Sequence, residues 1–254
     1  MAHSPNFPSR HHLIPGYRPV LEALLSNRMR ILEIWIREGK EGTRANDIIA
    51  AAAERSVQVS FKSAREMDQL LPGVAHQGIA AVAGEYVYAS LDEIVAISAS
   101  FPEEALILAA DHITDEGNLG ALVRTGTFFG AHGMLLPKDR SASISAAILK
   151  RSSGALLSLP VARVVNLGRA LVTLKEKGFW IIGTAGESKE SIYDFDWKRN
   201  LVLVMGSEDK GLSPLIRGIC DQIVKIPGSG RVESLNVSVA AGAVLSEIQR
   251  RRST

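Results

Sequence analysis

Apolar and polar positions follow two rhythms along this chain. In the first ninety residues, helical spacing in RPVLEALLSN (Arg18–Asn27), RANDIIAAAAERS (Arg44–Ser56) and SAREMDQLL (Ser63–Leu71) is interleaved with the short strand-like runs ILEIWI (Ile31–Ile36), VQVSF (Val57–Phe61) and GIAAVAGEYVYA (Gly78–Ala89). This is a small alternating α/β unit. SLDEIVAISASFPEE (Ser90–Glu104) reads as a connecting helix that Pro102 closes, so the pattern predicts a boundary between Ala89 and Pro102. The expected layout is a small domain over residues 1–90, a linker over 91–103 and a larger domain over 104–254.

Beyond the boundary the apolar runs lengthen and lose their alternation. ALILAADHI (Ala105–Ile113), GMLLP (Gly133–Pro137), PVARVV (Pro160–Val165), FWIIGT (Phe179–Thr184), LVLVMG (Leu201–Gly206) and QIVKIP (Gln222–Pro227) suit strands buried on both faces. Helical patterns separate them in LGALVRTGTFFG (Leu119–Gly130), SAAILKRSSG (Ser145–Gly154), LGRALVTLKEKG (Leu167–Gly178) and a closing segment from Leu235. The prediction is a mostly parallel sheet covered by helices, with ligands held beyond the carboxyl ends of the strands. Three loops at those ends are chemically unusual: TDEGNLG (Thr114–Gly120), GSEDKGLS (Gly206–Ser213) and the stretch after QIVKIP. A fourth, GTAGES (Gly183–Ser188), is weaker.

Composition narrows the chemistry only slightly. The 254 residues are 46% apolar and carry a net charge of +2, which permits nucleic-acid binding without arguing for it. The single cysteine, Cys220, excludes an internal disulfide and a cysteine-based zinc cluster. No metal is expected. No apolar run reaches the length of a membrane span, and the polar, proline-rich start lacks the apolar core of a signal peptide, so a cytoplasmic protein is expected.

Familiar nucleotide motifs fail when tested. Gly228-Ser229-Gly230 opens like a dinucleotide fingerprint, but Glu233 stands where the third glycine belongs and the stretch lies at the wrong end of the domain. Neither a P-loop nor a nucleophile elbow occurs. What the loops share is glycine for close backbone approach, with Asn118, Arg124, Glu208, Ser234 and Asn236 as polar heads. Each head has an ordinary structural explanation. Asn118, Ser234 and Asn236 suit helix caps, Glu208 suits a helix N-terminus, and Arg124 suits a solvated helix face. Five such coincidences at three strand ends favour one site, whereas the His11–His12 pair and Arg250–Arg252 have no such support and read as solvated terminal residues.

NLGALVRTG (Asn118–Gly126), LVMGSEDKGLS (Leu203–Ser213) and IPGSGRVESLNVSVA (Ile226–Ala240) resemble, in order and spacing, the three motifs of the SpoU (TrmH-type) RNA 2′-O-ribose methyltransferases. The first part, including HQGIAA (His76–Ala81), is similar to the substrate-binding domain that many members carry. The resemblance implies the SPOUT fold, an α/β sheet with a trefoil knot that holds S-adenosylmethionine, and a homodimer. It implies cofactor contacts from Thr184, Ala185, Gly186, Met205, Gly206, Ile226, Pro227, Gly228 and Leu235. It places Arg124 at the ribose 2′-hydroxyl, with Asn118, Glu208, Ser234 and Asn236 as the other catalytic heads. Arginine, with a pKa above about 12, is a poor base, so gripping phosphate and steadying the developing alkoxide is the expected role. The base itself is left open. The substrate implied is RNA, most like a guanosine of 23S rRNA. The alternatives are a tRNA or resistance-type rRNA adenosine enzyme and an inactive RNA-binding relative. Departures from the motifs stand at Glu116-Gly117, Asp209 and Gly228, and all three bear on loop shape.

Overall fold

The computed structural model describes residues 12–26, 28–142 and 144–253. The expectation of a solvated His11–His12 pair lies outside them apart from the backbone of His12. The chain divides into two compact units, Met1–Val87 with Ile144–Ser158, and Tyr88–Ser143 with Leu159–Thr254.

The first unit runs β1 (His12–Pro15), α1 (Tyr17–Leu25), β2 (Met29–Arg37), α2 (Thr43–Glu54), β3 (Gln58–Lys62), α3 (Ala64–Leu70) and β4 (Ile79–Tyr86). Its sheet has the order β1-β4-β2-β3, with β2 and β3 parallel and the other pairs antiparallel. Trp35, Met67, Leu71, Ala80 and Val82 pack one of its core clusters. Ser63 caps α3 in a reciprocal box with Glu66, which satisfies two donors at once. The sequence pattern missed β1, because HLIP is four residues long and ends in proline.

The second unit continues with α4 (Leu91–Ser98), β5 (Leu106–Asp111), α5 (Glu116–Phe128) and β6 (Gly133–Pro137). The chain then contributes α6 (Ala146–Arg151) and α7 (Ala155–Ser158) to the first unit. It resumes with β7 (Val161–Val164), α8 (Leu167–Glu176), β8 (Trp180–Thr184), β9 (Glu190–Ser191), β10 (Leu201–Gly206), α9 (Pro214–Ile219), β11 (Gln222–Lys225) and α10 (Val237–Arg252). The seven strands lie in the order β7-β6-β5-β10-β8-β11-β9, and every recorded pairing is parallel. β5 and β6 are buried throughout, which explains their unbroken apolar runs.

The connecting helix expected within Ser90–Glu104 forms as α4, capped by Ser90, and buries Ile94 in the main core of the second unit. Gly133 makes room for it: a β-carbon there would stand 2.5 Å from Ile94 Cγ2. The helix expected within 145–154 forms, but it packs with the first unit rather than the second. Hydrophobic spacing reveals that a helix buries a face, not which core receives it.

Arg250–Arg252, read from the sequence only as solvated terminal charges, are engaged. Arg250 and Arg251 clamp the buried Glu247 at 2.7 and 2.9 Å and hold its carboxyl down to about 2. Arg252 is half-buried and donates to the carbonyls of Glu104, Trp197 and Arg199. Loop carbonyls without strand partners need donors, and the helix end supplies them.

Candidate active site

The site begins where β10 ends. At Gly206 the chain turns back so tightly that a β-carbon would lie 2.2 Å from the carbonyl carbon of Gly211. Paired backbone bonds close the turn, Ser207 N–H to Gly211 O at 3.1 Å and Gly211 N–H to Ser207 O at 2.8 Å. Gly211 takes the left-handed backbone (φ 62°) that glycine adopts without strain. Asp209, in the place where the family motif has glycine, is not left-handed, so the turn accepts its side chain. Gly228, another of the three departures, has no left-handed φ and no atom within 4 Å of its β-carbon position.

The turn presents Glu208 to the N-terminus of α10. Its Oε1 accepts from the Asn236 side-chain amide and from Val237 N–H at 3.2 Å. Asn236 also donates to Asn118 Oδ1 at 2.8 Å, while its own Oδ1 caps α10 by accepting from Ser238 N–H at 3.0 Å. Three polar heads from three strand-end loops therefore meet in one hydrogen-bonded chain. Asn236 is both cap and site member. Asn118 does not cap α5; Asp115 does, accepting from Asn118 N–H at 2.7 Å. Ser234 and Arg124 stand outside this chain. Arg124 is exposed on α5, and no hydrogen bond or ion pair holds its guanidinium among the described residues.

Beside this cluster lies a cavity of about 360 Å³, within the range of small-molecule sites. Thr184, Ala185 and Gly186 line it from the loop after β8, and Met205 and Gly206 from the end of β10. Ile226, Pro227, Gly228 and Leu235 line it from the segment between β11 and α10, together with Ser234 and Glu208. Asn118, Arg124 and Asn236 do not line it. Val224, Val237 and Ala240, which the motifs did not single out, add apolar wall. Glu233 lines it as well, and among the described residues no Lys or Arg does. Glycine-bearing backbone, apolar wall residues and acidic residues suit a small ligand with apolar and cationic parts.

Two further residues shape the strand ends. Asp111, buried at the end of β5 and paired in register with Gly206, accepts from Ser213 N–H at 2.7 Å and contacts His112 Nδ1 at 2.5 Å. A charged residue closing an apolar run was a visible signal for it. Cys220 packs under β8, and burial pushes its thiol up to about 11, leaving no thiolate for chemistry near neutral pH. A larger cavity of about 500 Å³ occupies the first unit, but Ser153 is the sole polar side chain among its lining residues and it holds none of the motif residues.

Residues 105–246 match the SpoU rRNA Methylase family, and residues 13–89 match the RNA 2′-O ribose methyltransferase substrate binding family. The chain is 40% identical over 242 residues to the 23S rRNA (guanosine-2′-O-)-methyltransferase RlmB of Pseudomonas putida, covering 94% of this chain and 96% of that relative. It is 40% identical over 238 residues to an uncharacterized tRNA/rRNA methyltransferase of Mycobacterium avium, covering 93% and 76%. The solved structure of the SpoU methyltransferase AviRb from Streptomyces viridochromogenes, in complex with AdoMet, superposes with a TM-score of 0.79 at 25% identity, covering 96% of this chain and 92% of that one. A parallel-sheet unit with a cofactor-sized cavity at its strand ends, joined to a substrate-binding unit, is the architecture of an RNA 2′-O-methyltransferase. The chain belongs to the SpoU family.

Proposed function

We propose that the protein methylates the ribose 2′-oxygen of a guanosine in 23S rRNA, with residues 1–90 selecting the RNA and residues 104–254, knotted as the resemblance implies, carrying out transfer. The observation that carries the reading is the convergence of nine expected cofactor positions on one cavity, with the Asn118–Asn236–Glu208 chain beside it. The identity of 40% to RlmB along nearly the whole chain favours the 23S guanosine.

S-adenosylmethionine supplies an activated methyl group, so the protein must align the 2′-oxygen and manage its proton. Glu208 fixes the Asn236 amide, and Asn236 in turn holds Asn118, which makes a preorganised polar rim for the ribose. Ser234 adds a hydroxyl from the cavity wall. Arg124, which has no hydrogen-bond or ion-pair partner among the described residues, grips the adjoining phosphate and stabilises the oxygen as it loses its proton. The setting is the cytoplasm, where Cys220 stays reduced. The working form is a homodimer: Phe128 and Val239 leave large apolar surface exposed on α5 and α10, two helices that pack together. Sedimentation showing only monomer at micromolar concentration would remove this part of the reading.

Mass-spectrometric mapping of 2′-O-methyl groups in rRNA and tRNA from a deletion strain tests the substrate. Loss of one 23S guanosine methylation is expected, and loss in tRNA alone would overturn the assignment. Arg124→Ala should lower methyl transfer by orders of magnitude while S-adenosylmethionine binds normally, and Arg124→Lys should rescue little because the planar fork is gone. A loss under tenfold, about 1.4 kcal/mol, would return Arg124 to a solvated helix charge.

A further inference from the structure

Among the described residues, two acidic ones, Glu208 and Glu233, line the cofactor cavity and no Lys or Arg does. Glu208 is engaged, since its Oε1 serves Asn236 and Val237. Glu233 is not: no hydrogen bond or ion pair holds its carboxylate among the described residues. Its segment crosses the loop after β8, with its backbone oxygen 3.9 Å from the β-carbon position of Gly186. An acidic residue left uncompensated on the wall of a binding cavity has no folding task that requires its charge. Its field acts on whatever the cavity holds.

We propose that Glu233 makes the cavity discriminate between the sulfonium cofactor and its neutral thioether product. Resting on the cofactor reading above, this assigns Glu233 to specificity rather than to the chemical step. Methyl transfer turns S-adenosylmethionine, a sulfonium, into S-adenosylhomocysteine, whose sulfur is uncharged; the methyl goes to the ribose oxygen and the 2′-hydroxyl proton leaves. The two ligands otherwise share every group. A fixed negative charge therefore favours the substrate form over the product by the charge on sulfur alone. Were the cavity spherical it would be about 9 Å across, close to the screening length of about 8 Å at physiological salt, so a charge inside it feels Glu233. Glu233 is exposed, which keeps the effective dielectric high and the expected discrimination at about two- to tenfold.

Calorimetric titration of the full chain and of Glu233→Gln with S-adenosylmethionine, S-adenosylhomocysteine and sinefungin, whose amine carries positive charge near the sulfonium position, tests this. Glu233→Gln should weaken the two cationic ligands by about two- to tenfold and leave S-adenosylhomocysteine within error. Glu233→Lys should enlarge the change in the same direction, and raising the salt should shrink it. Equal weakening of all three ligands would mean that Glu233 reads a shared group, and no change in any would mean that it reads none; either result overturns the proposal. Failure of the unaltered protein to bind any of the three would instead sink the cofactor reading itself, with this inference falling alongside it.

Discussion

Gly206 and Gly228 line the same cavity, yet only one of them is constrained. A methyl at Gly206 would meet the Gly211 backbone at 2.2 Å, so Gly206→Ala must open the turn that presents Glu208. Overpacking of this kind costs about 1–3 kcal/mol, and urea unfolding should show it together with loss of S-adenosylmethionine binding. Gly228→Ala meets open space and should change stability by less than about 0.5 kcal/mol. A Gly206→Ala protein as stable as the parent would contradict the turn. At this scale the sequence was informative about residue types and less so about reach. Asn118, Glu208 and Asn236 were legible because polar heads stood beside glycine-bearing turns. Their mutual hydrogen bonds were not legible, because a partner more than a hundred positions away, as Asn118 is for Asn236, leaves no local trace.

Elements carry their own constraints, and α10 shows the clearest. Its last turn is anchored by Arg252, whose guanidinium serves three carbonyls on two loops. Hydrogen bonds from a charged donor contribute about 1.5–3 kcal/mol each at most, and part of this one is solvated, so Arg252→Ala should cost about 2–3 kcal/mol in urea unfolding. Arg252→Lys should recover less than half, since one ammonium cannot span the three acceptors. Near this end of the helix, burial lowers the His132 imidazole below its ordinary range, and the Arg252 charge lowers it further. Its Nδ1 accepts from Leu106 N–H at 3.0 Å, a bond the protonated ring cannot make. Because the folded value lies below the unfolded one, the stability His132 contributes is present above about pH 6.5 and is lost as pH falls through the folded value. An NMR titration should find the His132 midpoint below 6.5 and see it rise in Arg252→Ala. A midpoint unmoved by that change would break the link. The element types were readable from periodicity, since buried parallel strands and amphipathic helices differ in spacing. The arginine anchors were not, because charge at a chain end looks solvated until the loops that need donors are in place.

For the whole molecule, the informative feature is that the chain leaves one compact unit and returns. Ile144–Ser158 belongs with residues before Val87, where Ser26 Oγ donates to Leu157 O at 2.7 Å and Tyr86 Oη to Leu156 O at 3.5 Å. A linear cut at the boundary read from the sequence therefore severs more than a tether. Every residue lining the cofactor cavity lies between Thr184 and Ala240, so a fragment from Tyr88 to Thr254 should keep S-adenosylmethionine affinity within about threefold of the full chain, a change of under about 0.7 kcal/mol. The same fragment leaves Ile148, Leu149, Leu156 and Leu157, all buried in the full chain, without the core that covers them. It should bind a hydrophobic dye and associate. Replacing Ile144–Ser158 with a short Gly/Ser linker should abolish the dye signal and leave cofactor binding unchanged. If the linker version folds by circular dichroism yet no longer binds S-adenosylmethionine, the cavity depends on the first unit, and the division of labour between RNA selection and methyl transfer fails.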